Sequence, residues 1–238
     1  MKFNLIIVLA LYLFFTFLLT YPSILKFNNL MGCSGWLEGE YTVLHCDAWQ
    51  NIWDMGLLRK TLFEFDFNYY TDYQFYPIGT KLTFHTLNLF PSLIAIPIYS
   101  IINDWVITYN IIVILNFVLA GITMFLLVDY LVKSKWIAFI SGYAFTFSQY
   151  HLSMSTNYLN LATTFALPLY ILFFIKFWNE KLNFKNIFLL SFSALLVFLS
   201  DLQYLMYIFL FSVLSIPILI VVKKWKELKE IGLKFILS

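Results

Sequence analysis

The sequence predicts an all-α polytopic membrane protein. Hydrophobic residues make up 61% of the chain and charged residues only 12%, whereas a soluble domain usually carries about 25% charge. The mean hydropathy is +0.81, and the apolar residues lie in long stretches. Such a chain cannot cover its apolar surface in water, so we expect lipid to surround much of it. The net charge of +2 gives no reason to expect nucleic acid as a partner.

About six transmembrane helices are predicted, because each crossing needs roughly 20 apolar residues. The candidate spans are 3–21, 105–130, 136–152, 161–178, 186–200 and 203–222. The first has a longer apolar core than a signal peptide and no small-residue cleavage site, so we expect an uncleaved anchor. The stretch 231–238 resembles the start of another span, so we expect a truncated N-terminal module, a split gene product or a degenerate member of its family.

One further apolar stretch, 87–102, decides the topology. If it does not cross, ten cations lie on the cytoplasmic side and four outside, namely Lys26, Arg59, Lys60 and Lys81. If it crosses, only Lys2 remains inside. The excess of Lys and Arg in cytoplasmic loops favours the first arrangement. Pro91 and Pro97 also suit a helix that lies at the membrane surface or enters without crossing.

The predicted topology therefore has a cytoplasmic N-terminus in the plasma membrane. Residues 22–104 form a large extracytoplasmic loop with amphipathic juxtamembrane helices near 47–64 and 87–102. The loop also holds Cys33 and Cys46, the two cysteines of the chain. A disulfide between them and two unpaired thiols are both compatible with the sequence.

The helix near 47–64 carries polar residues on one face. Asp47, Gln50, Asn51 and Asp54 follow helical spacing, while Trp49 and Trp53 lie elsewhere around the helix. The tryptophans fit the membrane interface, and the carboxylates could face an aqueous cleft. The alternative is an ordinary interfacial helix whose acids only solvate it.

Further polar residues collect on the same predicted side. They are His85 after a predicted turn at 76–80, His151, Asn157 and Asn160 around a short outer loop, and Asp201 between two apolar runs. A carboxylate between spans is by default a candidate functional residue. The structural alternatives are a hydrogen-bonded loop histidine, polar residues at the end of a span, and an aspartate that caps the next helix.

This order of features resembles the GT-C superfamily of membrane glycosyltransferases. That superfamily includes the oligosaccharyltransferase catalytic subunit, the protein O-mannosyltransferases and YfhO-like proteins. The features are the acidic helix, then Tyr76-Pro-Ile-Gly79, Phe147-Ser-Gln-Tyr-His151, Asn157-Tyr-Leu-Asn160, Pro168-Leu-Tyr and Asp201-Leu-Gln-Tyr204. They are spread over essentially the whole chain.

The resemblance implies transfer of a sugar from a polyprenyl-phosphate-linked donor to a glycan, lipid or protein acceptor on the outer membrane face. It implies that Asp47 acts at the reacting acceptor, because attack on the anomeric carbon requires a base. The other polar residues named above would bind substrate. The related enzymes that bind a divalent metal have acids in the second outer loop, where this chain has Asn157 and Asn160, so a metal-independent reaction with no cofactor is favoured.

Two other functions fit the same sequence. Asp201 and the asparagines inside 105–130 suit a transporter fragment, although paired Gly/Pro-broken helices are not evident. A non-catalytic scaffold of a cell-envelope complex is the third hypothesis. The sequence does not name the sugar, the acceptor or the oligomeric state.

Overall fold

The computed structural model describes residues 4–21, 23–28, 34–37, 40–43, 47–68, 70–82, 85, 88–180 and 183–236. Only the backbone is described for 23, 26, 34–37, 40–43, 156, 157 and 223–236. The predicted cysteine pair, Cys33 and Cys46, lies outside these residues.

The described chain is helical, as predicted, with very little sheet. Its helices are α1 (Leu5–Leu19), α2 (Ala48–Glu64), α3 (Leu89–Ile102), α4 (Trp105–Val132), α5 (Lys135–Thr146), α6 (Gln149–Asn157), α7 (Leu159–Ala162), α8 (Ala166–Asn179), α9 (Phe184–Ser200) and α10 (Leu202–Ile236). Every apolar stretch that was expected to cross or to lie at the surface contains at least one of these helices.

Two of the described helices are long and apolar enough to cross a membrane. They are α4, with a mean hydropathy of 2.8, and the segment Leu202–Val222 of α10, with 2.7. The α10 segment is only 6% buried inside the protein. A helix this apolar and this uncovered favours a membrane protein, by its length and composition. The helices α1, α3, α8 and α9 are apolar but shorter.

Two predicted spans are divided in the structure. The stretch 136–152 is shared by α5 and α6, because Ser148 begins a new helix by accepting a hydrogen bond from the His151 backbone N–H. The stretch 161–178 is shared by α7 and α8, with a turn around Thr163 between them. The segment expected to begin a separate span at 231–238 is not separate in the structure, because α10 continues without interruption from Leu202 to Ile236.

Two short hairpins were not predicted from the sequence. Strands β1 (Ser34–Leu37) and β2 (Glu40–Val43) pair antiparallel, and β3 (Tyr70–Thr71) pairs with β4 (Thr80–Lys81). The second hairpin contains the predicted turn, which is confirmed, with a cis peptide bond before Pro77. Gly79 has φ +69°, and a Cβ there would lie 2.1 Å from the Tyr70 hydroxyl oxygen, so glycine is required at this position.

Helix α4 is the centre of the fold. Val8 and Tyr12 of α1 pack on Phe125 and Val128 near the C-terminal end of α4, whereas Phe27, which follows α1, packs toward its N-terminal half. Helix α1 therefore runs antiparallel to α4. The connections of two residues before and after α4 make α3 and α5 its antiparallel neighbours as well.

Glycines let α5 approach α4 closely. The Tyr12 hydroxyl donates a hydrogen bond to the Phe139 carbonyl at 3.0 Å and fills the space beside Gly142 and Gly121. A Cβ on Gly142 would lie 2.0 Å from that hydroxyl oxygen and 2.7 Å from the Gly121 carbonyl oxygen. Small residues at such contacts are typical of helices that pack in membranes.

Helix α8 runs parallel to α4, which separates the two ends of the bundle. Asn116 donates to the Thr163 hydroxyl at 3.2 Å, and Lys176 lies 5.0 Å above the Tyr130 ring. The lysines at the ends of α4 and α8 therefore share one end of the bundle, which we call the lysine end. The opposite end holds α2, α3, residues 147–165 and the α9–α10 junction, and we call it the polar end.

Candidate active site

The polar end contains a buried carboxylate on α2. Asp54 is 1% exposed, and both of its oxygens are hydrogen bonded. Oδ1 lies 2.8 Å from Nε2 of His85, and Oδ2 accepts from Nδ2 of Asn88 at 2.9 Å. These partners lie 31 and 34 residues further along the chain, so the loop after α2 folds back onto the helix.

Burial dominates the electrostatics of this carboxylate. Removal from water raises the pKa of Asp54 to about 6, and the hydrogen bonds and charge of His85 and the hydrogen bond of Asn88 only partly oppose that rise. A carboxyl group with such a pKa is still mainly ionised at neutral pH. An ionised acid held away from water by specific partners is a feature that is common in active sites.

His85 connects Asp54 to the solvent. Its side chain is 18% exposed, and its ring meets Trp53 edge to face at a centroid distance of 5.7 Å. The backbone N–H of His85 donates to the Leu82 carbonyl at 3.0 Å. Because an ionised Asp54 accepts a hydrogen bond from Nε2, the neutral ring carries its proton on Nε2 and its lone pair on Nδ1. Among the described residues Nδ1 has no hydrogen-bond partner. We call this pair the Asp54–His85 dyad.

Two asparagines hold the dyad from the buried side. Asn88 donates to Oδ1 of Asn51 at 2.6 Å as well as to Asp54, and both asparagines are at most 4% exposed. Tyr109 of α4 lies next to Asn51 and is fully buried. The Asn51 contact fixes the orientation of the Asn88 amide, since Asn88 must present its NH₂ group to both oxygens.

The predicted polar face of α2 exists, but burial divides it. Asn51 and Asp54 point into the protein, whereas Asp47 and Gln50 are exposed. Asp47 precedes the first residue of α2 without a side-chain capping hydrogen bond. The structure therefore brings Asp54, Asn51 and His85 together and leaves Asp47 and Gln50 at the surface. The catalytic role expected for Asp47 stays a prediction.

Sequence reasoning missed Asn88. It sits directly before an apolar helix, where an asparagine is usually read as a cap, but its side chain does not cap α3 and turns to α2 instead. The available signal was an asparagine three residues after His85 and three before Pro91. That spacing alone does not point to a partner on α2.

Asn160 and Asp201 form a second polar cluster at the same end. Nδ2 of Asn160 donates to Oδ2 of Asp201 at 2.6 Å, and Oδ1 of Asp201 accepts from the Gln203 backbone N–H at 2.6 Å. Asp201 thus caps the start of α10, which corresponds to its structural alternative. Tyr204, one turn into α10, donates to the Leu161 carbonyl and ties the two segments further.

His151 is buried between two backbone segments. It is 1% exposed, and its ring nitrogens lie 2.7 Å from the carbonyl oxygens of Thr146 and Ala162. A neutral ring can donate to only one of them. The single hydrogen bond of the neutral ring and the close approach of the other carbonyl place His151 between the end of α5 and the end of α7. The substrate-binding role expected for it stays a prediction. The side chain of Asn157 lies outside the described residues.

A cleft of about 270 Å³ lies between α2 and the β3–β4 hairpin, near the dyad, although neither Asp54 nor His85 is among its lining residues. Leu58 and Leu82 line it; Leu58 follows Asp54 by one helical turn, and Leu82 accepts the His85 backbone hydrogen bond. At its rim, Nζ of Lys60 lies 3.2 Å from the Tyr73 hydroxyl and 3.9 Å from a Glu64 oxygen. The Tyr73 contact first, and then Glu64, raise the pKa of Lys60.

No group of three or more His, Cys, Asp and Glu side chains that could hold a metal ion is found within the described part of the chain.

Comparison of the chain with protein-family models, with curated proteins and with solved structures gave no match. The function of the chain therefore has to be inferred from its side chains and their geometry.

Proposed function

We propose that this chain is a glycosyltransferase module of the GT-C type, in which His85, held by Asp54, is the base. The sequence resemblance and one observation support this: a buried acid and a partly exposed histidine share a hydrogen bond of 2.8 Å, about one helical turn from a cleft. The buried acid orients the ring, and the partly exposed ring offers a nitrogen to a substrate. This division of roles is the one that acid–histidine pairs use in acyl transfer.

The proposed reaction needs one proton transfer from the acceptor. An acceptor hydroxyl in the cleft attacks the anomeric carbon of the lipid-linked sugar, and the bond to the polyprenyl phosphate breaks. Nδ1 of His85 takes the hydroxyl proton, and the Asp54 carboxylate stabilises the imidazolium that forms. The leaving phosphate keeps the electron pair of the broken bond, so it does not need a proton to depart.

The proposed membrane topology is the six-span arrangement with a cytoplasmic N-terminus. Helix α4 has 28 residues, about 42 Å at 1.5 Å per residue, whereas the hydrocarbon core is about 30 Å thick. If the lysine end is cytoplasmic, the first turns of α4 project beyond the outer boundary together with α2. The dyad then lies near that boundary, where a lipid-linked donor and a water-side acceptor can meet.

Helix α3 fits this arrangement as a re-entrant helix. Its 14 residues include Pro91 and Pro97, which suit a helix that enters the membrane without crossing it. It returns from the start of α4 toward the middle of the bundle, where Phe90 contacts the Phe165 ring at 4.8 Å. This depth brings Asn88, just before α3, to the buried side of Asp54.

Topology can be tested by labelling single cysteines in a variant with Cys33 and Cys46 replaced by serine. Lys81 and Lys133 are both exposed. A membrane-impermeant maleimide added to intact cells should label Lys81→Cys, and should label Lys133→Cys only after permeabilisation. Labelling of both from outside would show that α3 crosses the membrane.

The enzymatic proposal can be tested by measuring release of undecaprenyl phosphate, the product common to all sugars on that carrier. The chain, reconstituted in vesicles, is supplied with undecaprenyl-phosphate-linked glucose, mannose or galactose and a cell-wall glycan mixture. His85→Gln should abolish release, and Asp47→Asn should reduce it less than Asp54→Asn. Loss with Asp47→Asn alone would assign the base to Asp47. Sugar uptake into the vesicles without carrier turnover would favour a transporter.

A further inference from the structure

The cleft beside the dyad carries an excess of negative charge. Among the described residues that line it, Glu64, Asp66 and Asp72 are carboxylates and Lys60 is a cation, which gives these residues a formal excess of two negative charges. Its volume of about 270 Å³ is slightly below the ~300–1,000 Å³ of typical small-molecule pockets. A cleft of one sign concentrates ligands of the opposite sign.

The three carboxylates differ in how many protein partners they have. Glu64 lies 3.9 Å from Lys60, and Asp66 accepts from the Asn68 backbone N–H at 3.1 Å. Asp72 has no hydrogen bond or ion pair within the described part of the chain, although its charge acts on Lys60. The cleft therefore retains acceptor capacity that the described protein groups do not satisfy.

Aromatic rings complete the lining. Phe67, Tyr70 and Tyr73 border the cleft, and each has at least 46% of its surface exposed. The ammonium of Lys60 already lies 5.2 Å from the centre of the Tyr73 ring. Aromatic faces next to carboxylates are the environment in which proteins bind ammonium groups. Lys60 shows that this rim accommodates one.

We infer that the cleft binds a saccharide that carries a primary ammonium group, with the ammonium among the carboxylates and the tyrosine rings. That the ligand is a sugar rests on the proposed function, in which it is the acceptor. That it carries an ammonium rests on the cleft alone. Thr61 and Asn68 supply neutral hydrogen-bonding groups for its hydroxyls, and the apolar floor includes Leu82, next to the base.

Binding can be measured without turnover on the full chain in nanodiscs. The probes are the glucosamine disaccharide and its N,N′-diacetyl form, which has the same rings without the charge. The charged disaccharide should bind about tenfold more tightly, and its affinity should fall between 0.05 and 0.5 M salt. Equal affinities, no salt dependence or no binding of either probe would overturn the inference. Tighter binding of phosphoethanolamine than of the charged disaccharide would contradict a sugar ligand and would indicate a lipid headgroup as the source of the ammonium.

Variants locate the site. Asp72→Asn and Glu64→Gln should each weaken binding of the charged disaccharide by about two- to fivefold. Asp129→Asn is the control, because Asp129 pairs with Lys135 at the lysine end of the bundle. Equal effects of all three variants would show charge attraction without a site. Selective binding of the amine without any sugar transfer would support the ammonium site and contradict the proposed glycosyltransferase activity. Sugar transfer at the same rate to acceptors with and without the amine would support the activity and contradict the ammonium site.

Discussion

Replacing Asp54 by asparagine removes the charge from the dyad while keeping the shape of the side chain. An asparagine offers one oxygen and one NH₂ group to the two partners of Asp54. Asn88 must present its own NH₂ group, because Asn51 holds it in that orientation through a contact of 2.6 Å. The new oxygen therefore accepts from Asn88, and the new NH₂ group faces Nε2 of His85.

The consequence for His85 is a change of tautomer. Nε2 has to become the acceptor, so the proton moves to Nδ1, and the nitrogen proposed as the base turns into a donor. In catalytic triads the same exchange of aspartate for asparagine lowers turnover by about 10⁴-fold. We expect a loss of that order in the release of undecaprenyl phosphate by Asp54→Asn.

The same substitution should stabilise the fold at neutral pH. The pKa of Asp54 rises from 3.8 to about 6, and each unit corresponds to about 1.4 kcal/mol, so the ionised form is disfavoured by about 3 kcal/mol relative to the unfolded chain. Because the folded pKa is the higher one, the fold is most stable below about pH 4, where the carboxyl group is protonated in both the folded and the unfolded chain. The free energy of unfolding falls as the pH rises to about 6 and the folded carboxyl group ionises.

The measurement is the unfolding free energy of the wild type and Asp54→Asn in detergent between pH 4 and 8. The wild type should lose stability between pH 4 and 6, and the variant should lack that decrease and be more stable at pH 7, by up to about 3 kcal/mol. Transfer activity close to wild type in the variant would refute the tautomer argument. An unchanged pH slope would refute the assignment of the buried charge.

Substitutions at Gly142 and Asp201, each with a matched control, test the frame that positions the site. Gly142→Ala should destabilise the protein by several kcal/mol in thermal unfolding, since the new Cβ would lie 2.0 Å from the Tyr12 hydroxyl. Gly56→Ala is the control. Its nearest contact is at 3.8 Å, so it should be neutral or slightly stabilising. Asp201→Ala should lower the unfolding free energy by about 1–2 kcal/mol through loss of the cap of α10 and of the Asn160 contact, and Asp201→Asn should recover part of it; equal losses would contradict a capping role.

The helices themselves could be predicted, because apolar stretches and turn residues are local signals. The helix expected near 47–64 is α2 at Ala48–Glu64, and the one expected at 186–200 is α9 at Phe184–Ser200. The break in 136–152 also had a local signal, Ser148 followed by Gln149 and Tyr150, but hydropathy outweighed it. A serine that accepts from the N–H three residues later is enough to restart a helix.

The site could be predicted only in part. Periodicity placed Asp47, Gln50, Asn51 and Asp54 on one face, but it does not say which turn of that face is covered. Coverage depends on a segment more than 30 residues away, which brings His85 and Asn88 to Asp54 and leaves Asp47 in solvent. Contacts at that separation follow from tertiary packing, and no local pattern in a single sequence encodes them.

The two acids at the polar end have different reasons to be acids. Asp201 caps α10 through one oxygen and accepts from Asn160 with the other, which asparagine could do almost as well. Asp54 lies in the middle of α2, where no cap is needed, and its burial costs the fold about 3 kcal/mol when ionised. A neutral asparagine would make similar contacts without that penalty. What only the carboxylate supplies is a proton held on Nε2 and a counter-charge for a protonated His85, so the cost of burying Asp54 fits the proposed proton transfer better than a purely structural role.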